Sequence, residues 1–273
     1  MTVHIIGNGL FGRIASDMLS REGIANVVYD SEEAKSGSQA SGNITKPSWV
    51  TGLGDTAREA YRDLDQMYGL HKFEPQVLPG KTIDLYYVHR SDVIGLPHVK
   101  ATANINAQGH FEFEYVDGNR VEVTEPVLVA AGVWTDRLAH IPVMQPITGV
   151  SFIFRKPEGY KPRFNAWAPY KQAISYDDGN RVWFGDGQAI KDKNWKEERV
   201  ATALERARGH GLEDKPLEIN TGYRPYVWKH KNGYFAQTGE KTWVSTGGGK
   251  NGIVLAAVQA RQFMKELIVS GYR

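Results

Sequence analysis

The chain has 273 residues, with 33 Lys and Arg against 31 Asp and Glu, so its net charge of +2 provides no general attraction to a polyanion. It contains no cysteine, which excludes disulfides, thiolate metal sites and a cysteine nucleophile. No apolar run reaches the roughly 18 residues that span a bilayer, and the opening residues carry no basic leader; the expected setting is the cytoplasm, without a membrane partner.

In chain order, Val3 to Ile6 is an apolar strand bounded by Gly7-Asn8-Gly9. Leu10, Ile14, Met18 and Leu19 then recur at helical spacing, and Gly23 closes that helix. Ala25 to Tyr29 is a second strand, ending at Asp30. Together these make a βαβ opening. Residues 31–48 are rich in small and polar types and read as a loop. A helix is expected from about Asp55 to Tyr68, followed by turn signals at Pro75, Pro79-Gly80 and Pro97. Strands are expected across 98–130, among them the apolar Val127 to Ala130. Asp178-Gly179-Asn180 has the composition of a hairpin turn, a helix is expected over about 195–208, and a final apolar helix over about 252–269. The basic clusters Lys229-His230-Lys231 and Lys191, Lys193, Lys196 read as solvated faces.

Gly7-x-Gly9-x-x-Gly12 gains meaning from its place between a strand and a helix. The first glycine permits the turn, the second admits a pyrophosphate close to the backbone, and the third lets helix and strand pack tightly. The helix N-terminus adds partial positive charge. Asp30 stands 18 residues beyond Gly12, where a carboxylate accepts ribose hydroxyls. This pattern fits a dinucleotide without separating NAD from FAD, and an ordinary glycine turn is the competing reading.

Further blocks carry a resemblance. Gly7-Asn8-Gly9-Leu10-Phe11-Gly12, Asp30-Ser31 and Ser38-Gln39-Ala40-Ser41-Gly42-Asn43 are followed in order by Val127 to Thr135, Pro146-Ile147-Thr148-Gly149, Gly222-Tyr223-Arg224-Pro225 and Thr246 to Leu255. The series resembles the glycine oxidase and D-amino acid oxidase (DAO) family of FAD-dependent enzymes, in a shortened form. The resemblance implies an α/β fold: a Rossmann-type FAD-binding domain with an inserted α+β substrate domain built on an antiparallel sheet. The implied division places 1–48, 98–145 and 237–273 in the FAD-binding domain, and 49–97 and 146–236 in the substrate domain.

The cofactor residues it implies are Gly7, Gly9, Leu10, Phe11, Gly12, Asp30, Ser31, Ser41, Gly42 and Asn43 at the start of the chain. Ile105, Ala131, Gly132 and Trp134 follow, and then Gly247, Gly248, Gly249, Lys250, Asn251, Gly252 and Ile253. A reduced flavin gathers negative charge near N1, and the glycine turn leading into the last helix offers backbone N–H donors there. A simple helix cap is the competing reading of that turn.

In the family, the arginine matching Arg224 binds the substrate carboxylate, a task suited to a guanidinium fork. Lys250 stands where glycine oxidases carry a second arginine, keeping the charge but losing the planar fork. Tyr223 and Tyr170 are expected to orient an amine or cover the flavin. No metal is expected. The implied reaction oxidises a C–N bond of an amino acid or N-substituted glycine to an imine, which water hydrolyses, while O2 becomes H2O2. The stretch from Trp49 to about Pro97 is shorter than the family's, which points to an open site and a bulky substrate: a glycyl group on a larger carrier, such as a modified DNA base. The competing functions are a flavin-binding subunit without catalysis and an NAD(P)-dependent dehydrogenase.

Overall fold

The apolar stretch Val3–Ile6 forms β1, completely enclosed in the centre of the largest sheet. The computed structural model describes every residue except 33–36, 39–40, 47–49, 74–75, 79–80, 94–96, 167–171, 186–196, 213–214 and 273. Pro75, Pro79, Gly80, Tyr170, Lys191, Lys193 and Lys196 therefore lie outside the described residues. After β1 come α1 (Leu10–Arg21), β2 (Asn26–Asp30), β3 (Ile44–Thr45), α2 (Gly54–Tyr68) and β4 (His71–Lys72). Two short hairpin strands, β5 (Gln76–Leu78) and β6 (Lys81–Ile83), precede β7 (Tyr86–Tyr87) and the single-turn α3 (Arg90–Val93). Next are β8 (Val99–Ile105), β9 (Phe111–Tyr115), β10 (Arg120–Val123) and β11 (Val127–Val129). The chain continues through β12 (Met144–Arg155), β13 (Arg163–Ala166), β14 (Gln172–Asp178), β15 (Arg181–Gly185) and α4 (Glu197–Arg208). It finishes with β16 (Glu218–Val227), β17 (Tyr234–Gly239), β18 (Thr242–Thr246) and α5 (Gly252–Val269).

Helix α1 forms because Leu10, Ile14, Met18 and Leu19 make one buried stripe. It stops at Gly23, whose φ of 71° lets the chain reverse while the Ile24 N–H returns to the Leu19 carbonyl. Strands β2, β1, β11 and β18 then lie parallel and side by side, with β17 antiparallel beyond β18. On the outer side of β2, β8 pairs in parallel and leads into the antiparallel strands β9 and β10. The order β10-β9-β8-β2-β1-β11-β18-β17 makes one eight-stranded sheet.

One face of this sheet is covered by α1 and α5. Ile14 and Leu19 meet Val254, Ala257 and Phe263, and α2 joins the same cluster through Ala57, Ala60 and Leu64. Tyr68 at the end of α2 donates to Asp17 of α1 at 2.5 Å. Burial, reinforced by that carboxylate, raises the phenol well above its usual range. The second cluster gathers Ile6, Tyr29, Val129 and Val244 with Phe111 and Phe113 of β9, and Tyr29 stacks on Phe113 at 4.0 Å.

A second sheet, of order β13-β14-β15-β12-β16, is antiparallel throughout. Its spine is the ten-rung pairing of β12 with β16, from Met144 opposite Val227 to Ile153 opposite Glu218. Alternation sends Phe152, Phe154, Val182 and Phe184 to one face, against Ala203 and Ala207 of α4. Ile153, Ile174, Tyr176 and Trp183 fill the other face against Phe73, Leu85 and Tyr87. Tyr87 belongs to a three-stranded sheet of order β3-β7-β4. The expected turn at Asp178-Gly179-Asn180 joins β14 to β15, with Gly179 at φ 75°. Among the described residues, no helix is long and apolar enough to cross a membrane. The architecture is the expected one: α/β, with a Rossmann-type unit and an antiparallel sheet inserted within the sequence.

Candidate active site

The carboxyl ends of β1, β2 and β11 deliver Gly7, Asp30 and Ala130 to one edge of the large sheet, and β18 adds Gly247. Ligands of open α/β sheets bind at such an edge. Gly7 has φ 106°, and a Cβ on it would stand 2.5 Å from the Ala130 carbonyl oxygen. A Cβ on Gly12 would come within 1.9 Å of the Gly7 carbonyl oxygen, so only glycine lets α1 approach this turn. Gly9 caps α1 without a side-chain bond; the Leu10 N–H donates to Ser38 Oγ at 2.8 Å. Asp30 accepts the Asn8 N–H on one carboxylate oxygen and the Glu32 N–H on the other, both at 2.8 Å.

The first and last glycine turns meet. A Cβ on Gly248 would lie 2.7 Å from the Phe11 ring, and one on Gly252 would touch Leu10 and Phe11 at 4.0 Å. Gly249, Lys250 and Asn251 form a single 3-10 turn leading into α5. The Lys250 side chain lies outside what the structure describes. Ile253 is buried on α5. Thr246 Oγ1 donates to the carbonyl of Gly132 at 3.2 Å, binding this turn to the 3-10 segment Gly132–Arg137 that holds Trp134.

The second sheet reaches the same place through Gly37. A Cβ there would lie 2.5 Å from the Tyr223 carbonyl oxygen, so residues 37 and 38 fill the space between α1 and β16. Tyr223 sets its ring edge-on to Trp134 at 6.3 Å. The half-buried Arg224 lays its guanidinium over Gly149, with Nη2 3.0 Å from the point a Cβ would take. Gly149 is registered with Gly222, so two side-chain-free positions form the floor beside the guanidinium. Gly42 packs against the Trp183 ring. Asn43, at φ 47° and buried, keeps both amide atoms without a hydrogen-bond partner among the described residues, while its N–H donates to Ser41 Oγ.

A comparison with protein families matches residues 88–264 to the FAD dependent oxidoreductases, DAO. The chain belongs to that family. No curated protein sequence matches it. Among solved structures, this DAO-family chain is similar to glycine oxidase from Bacillus cereus, at 17% identity and a TM-score of 0.65, with 100% of this chain and 96% of that one covered. Iminodiacetate oxidase from Chelativorans sp. BNC1 gives 16% identity and a TM-score of 0.62, covering 99% and 96%. Glycerol-3-phosphate dehydrogenase from Bacillus halodurans, complexed with FAD, gives 13% identity and a TM-score of 0.65, covering 99% and 64%. At these identities the likeness is one of fold.

The protein is thus an FAD-dependent oxidoreductase, and its own residues fit that cofactor. The glycine positions clear a path along the edge of the sheet, two helix N-termini face it, and the orphaned Asn43 amide offers a buried donor and acceptor. Of the residues expected from the sequence, Ile105 stands apart. It ends β8 opposite Phe111, about 17 Å along the strand from Lys100, the residue registered with Asp30, at 3.3 Å per residue. Ser31 follows Asp30 at the exit of β2. Sequence reasoning did not single out Asn8, Glu32, Ser38, His98 or Thr246. Asn8, Ser38 and Thr246 lie inside the blocks that carry the resemblance, whereas Glu32 and His98 have no local signal.

Proposed function

We propose that this FAD-dependent enzyme oxidises the C–N bond of an amino acid or N-substituted glycine. The observation that carries this reading is the Arg224 guanidinium above the Gly149–Gly222 floor, on a strand tied through Gly37 to the first glycine turn. A fork there would grip a carboxylate with two parallel hydrogen bonds and fix the adjacent C–H. We assign the pyrophosphate to Gly7–Gly12, the ribose to Asp30, and the flavin to the 41–43 loop, the 131–134 turn and residues 247–253. When bound, FAD would supply the hydride acceptor, with O2 taking up the two electrons and leaving as H2O2. The residues of the chain orient the substrate, exclude water and place N–H donors where charge gathers. Tyr223, backed by Trp134, forms one wall.

For an N-substituted glycine, R–NH–CH2–COO⁻, loss of a hydride and a proton gives the imine. Water then yields R–NH2 and glyoxylate. Two of the similar structures are oxidases of glycine and of iminodiacetate, which supports a glycine-like substrate. A glycyl group on a larger carrier, including a modified DNA base, fits the short 49–97 stretch, much of whose helix α2 packs against α5. The cysteine-free composition suits a reducing cytoplasm. The division into a nucleotide unit of 1–48, 98–145 and 237–273 and a substrate unit of 49–97 and 146–236 remains part of the proposal.

The test is an anaerobic titration of the yellow protein with glycine, sarcosine and a glycylated nucleoside. Bleaching of the flavin band by at least one of them, with glyoxylate formed, supports the reading. A flavin band that none of them changes argues against it.

A further inference from the structure

We propose that His98 is a positioning residue for the adenosyl end of the cofactor, an inference that rests on the assignment of Asp30 to the ribose. Four residues from three separate segments close a ring. The Asn8 N–H donates to Asp30 Oδ2 at 2.8 Å, and the Glu32 N–H donates to Asp30 Oδ1 at 2.8 Å. Glu32 Oε1 lies 3.0 Å from His98 Nε2, and the other ring nitrogen, Nδ1, is 2.9 Å from the Asn8 side-chain amide. Lys100 adds a second cation to Glu32 Oε2 at 2.9 Å.

The ring has a mechanical meaning. Asn8 belongs to the glycine turn, Asp30 and Glu32 to the exit of β2, and His98 to the approach to β8. Register alone fixes the approach to β8, because Asp30 pairs with Lys100. The side chain of His98, 17% exposed, therefore joins two walls of the nucleotide cleft, the glycine turn and the exit of β2, to a strand of the sheet. Glu32 sits at φ 60°, a conformation unfavourable for a non-glycine residue that persists only where its surroundings hold it. Its N–H aims at Asp30 because of that conformation, and its carboxylate is held by His98 and Lys100. Removal of the imidazole takes one contact from the Asn8 side-chain amide and one from the Glu32 carboxylate, which keeps Lys100, and so loosens the two residues whose N–H groups fix Asp30.

The experiment measures dissociation constants of the apoprotein for FAD, ADP and FMN by fluorescence and calorimetry. FMN lacks the adenosyl end, and ADP carries little else. The expected result for His98→Ala is FAD and ADP binding weakened by the same factor, roughly 10-fold for the loss of a charge-assisted contact, with FMN binding unchanged. His98→Gln, which can donate and accept at once, recovers most of the loss. FAD affinity within twofold of the parent in His98→Ala overturns the proposal. So does an equal loss for FMN, which would indicate general loosening. Asp30→Ala is the parallel measurement: normal FAD affinity in that variant would remove the ribose assignment, whereas weakening there with no effect in His98→Ala would remove the role of His98 alone.

Discussion

Phe11 and Gly248 occupy one volume: the aromatic ring lies where a side chain at 248 would have to be, 2.7 Å from its first carbon. Because Phe11 follows the second motif glycine and Gly248 precedes α5, this contact joins the two ends of the sequence at the nucleotide cleft. The same Cβ would also stand 2.6 Å from the Gly252 Cα, which is backbone and cannot swing away. Gly248→Ala is expected to cost about 1–3 kcal/mol by overpacking. It should lower the melting temperature by roughly 2–4 °C per kcal/mol and reduce the flavin retained on gel filtration. An unchanged melting curve would mean that the two turns are less tightly joined than their geometry indicates.

Gly12→Ala meets a harder obstacle, the Gly7 carbonyl oxygen at 1.9 Å. Neither partner is a flexible side chain, so α1 must move away from β1. The expected outcome is a folded or partly folded protein with little bound FAD, seen as loss of absorbance near the flavin band. A fully yellow Gly12→Ala protein would contradict the close approach of helix and strand.

At the proposed carboxylate site, Arg224→Lys keeps the charge and removes the fork. The expected loss in kcat/KM is about 10- to 100-fold, equivalent to about 1.4–2.8 kcal/mol, mainly through KM, with flavin content unchanged. Equal activity in the variant would place the carboxylate elsewhere.

Arg261 on α5 binds Asp63 and Glu59 of α2, with Nη2 at 2.7 Å from Asp63 and Nη1 at 3.1 Å from Glu59. The Asp63 carboxylate, before burial and the other acids, is the main influence on the guanidinium and raises its pKa further. The pair is partly exposed, so Arg261→Met is expected to cost about 1–2 kcal/mol, between a surface pair and a buried one. Urea denaturation should show a lower midpoint at the same m-value.

The pH dependence of the nucleotide cleft follows from Glu32. Lys100, and to a lesser degree His98, hold its carboxyl below the usual carboxylate range. A carboxyl whose pKa is lower in the folded state contributes stability that is full above its unfolded value and is lost as pH falls through the folded value. FAD retention should therefore be flat from neutral pH down to about 5 and should fall only in stronger acid, with the fall moved to higher pH in Lys100→Met. A loss of FAD already between pH 7 and 6 would point to another group.

Much of the frame was legible because its signals are local. Val3–Ile6, the Leu10–Leu19 stripe and Gly23 fix strand, helix and stop within two dozen residues, and the structure begins and ends α1 within two residues of that reading. The final helix was equally plain from its apolar run. The ten-rung pairing of β12 with β16 was not, because each strand carries polar residues on the face that turns toward the site, and register depends on a partner some 75 residues away. The ring through His98 escaped for the same reason: Asn8, Glu32 and His98 are ordinary residues until the parallel pairing of β2 with β8 brings them together. Ser38, which receives the first helical N–H in place of a capping residue at Gly9, illustrates a cap supplied from 28 positions further along the chain.

The position of β18 and α5 also sets a schedule for biosynthesis. Strand β11 has β18 as its outer neighbour, and α1 has α5 as its cover, so a segment synthesised earlier waits for one synthesised much later before its own apolar face is shielded. Until residues near 260 emerge, Ile14 and Leu19 lack the cover of Val254, Ala257 and Phe263, and a nascent chain arrested before Thr242 would hold a glycine turn with only half of its cradle.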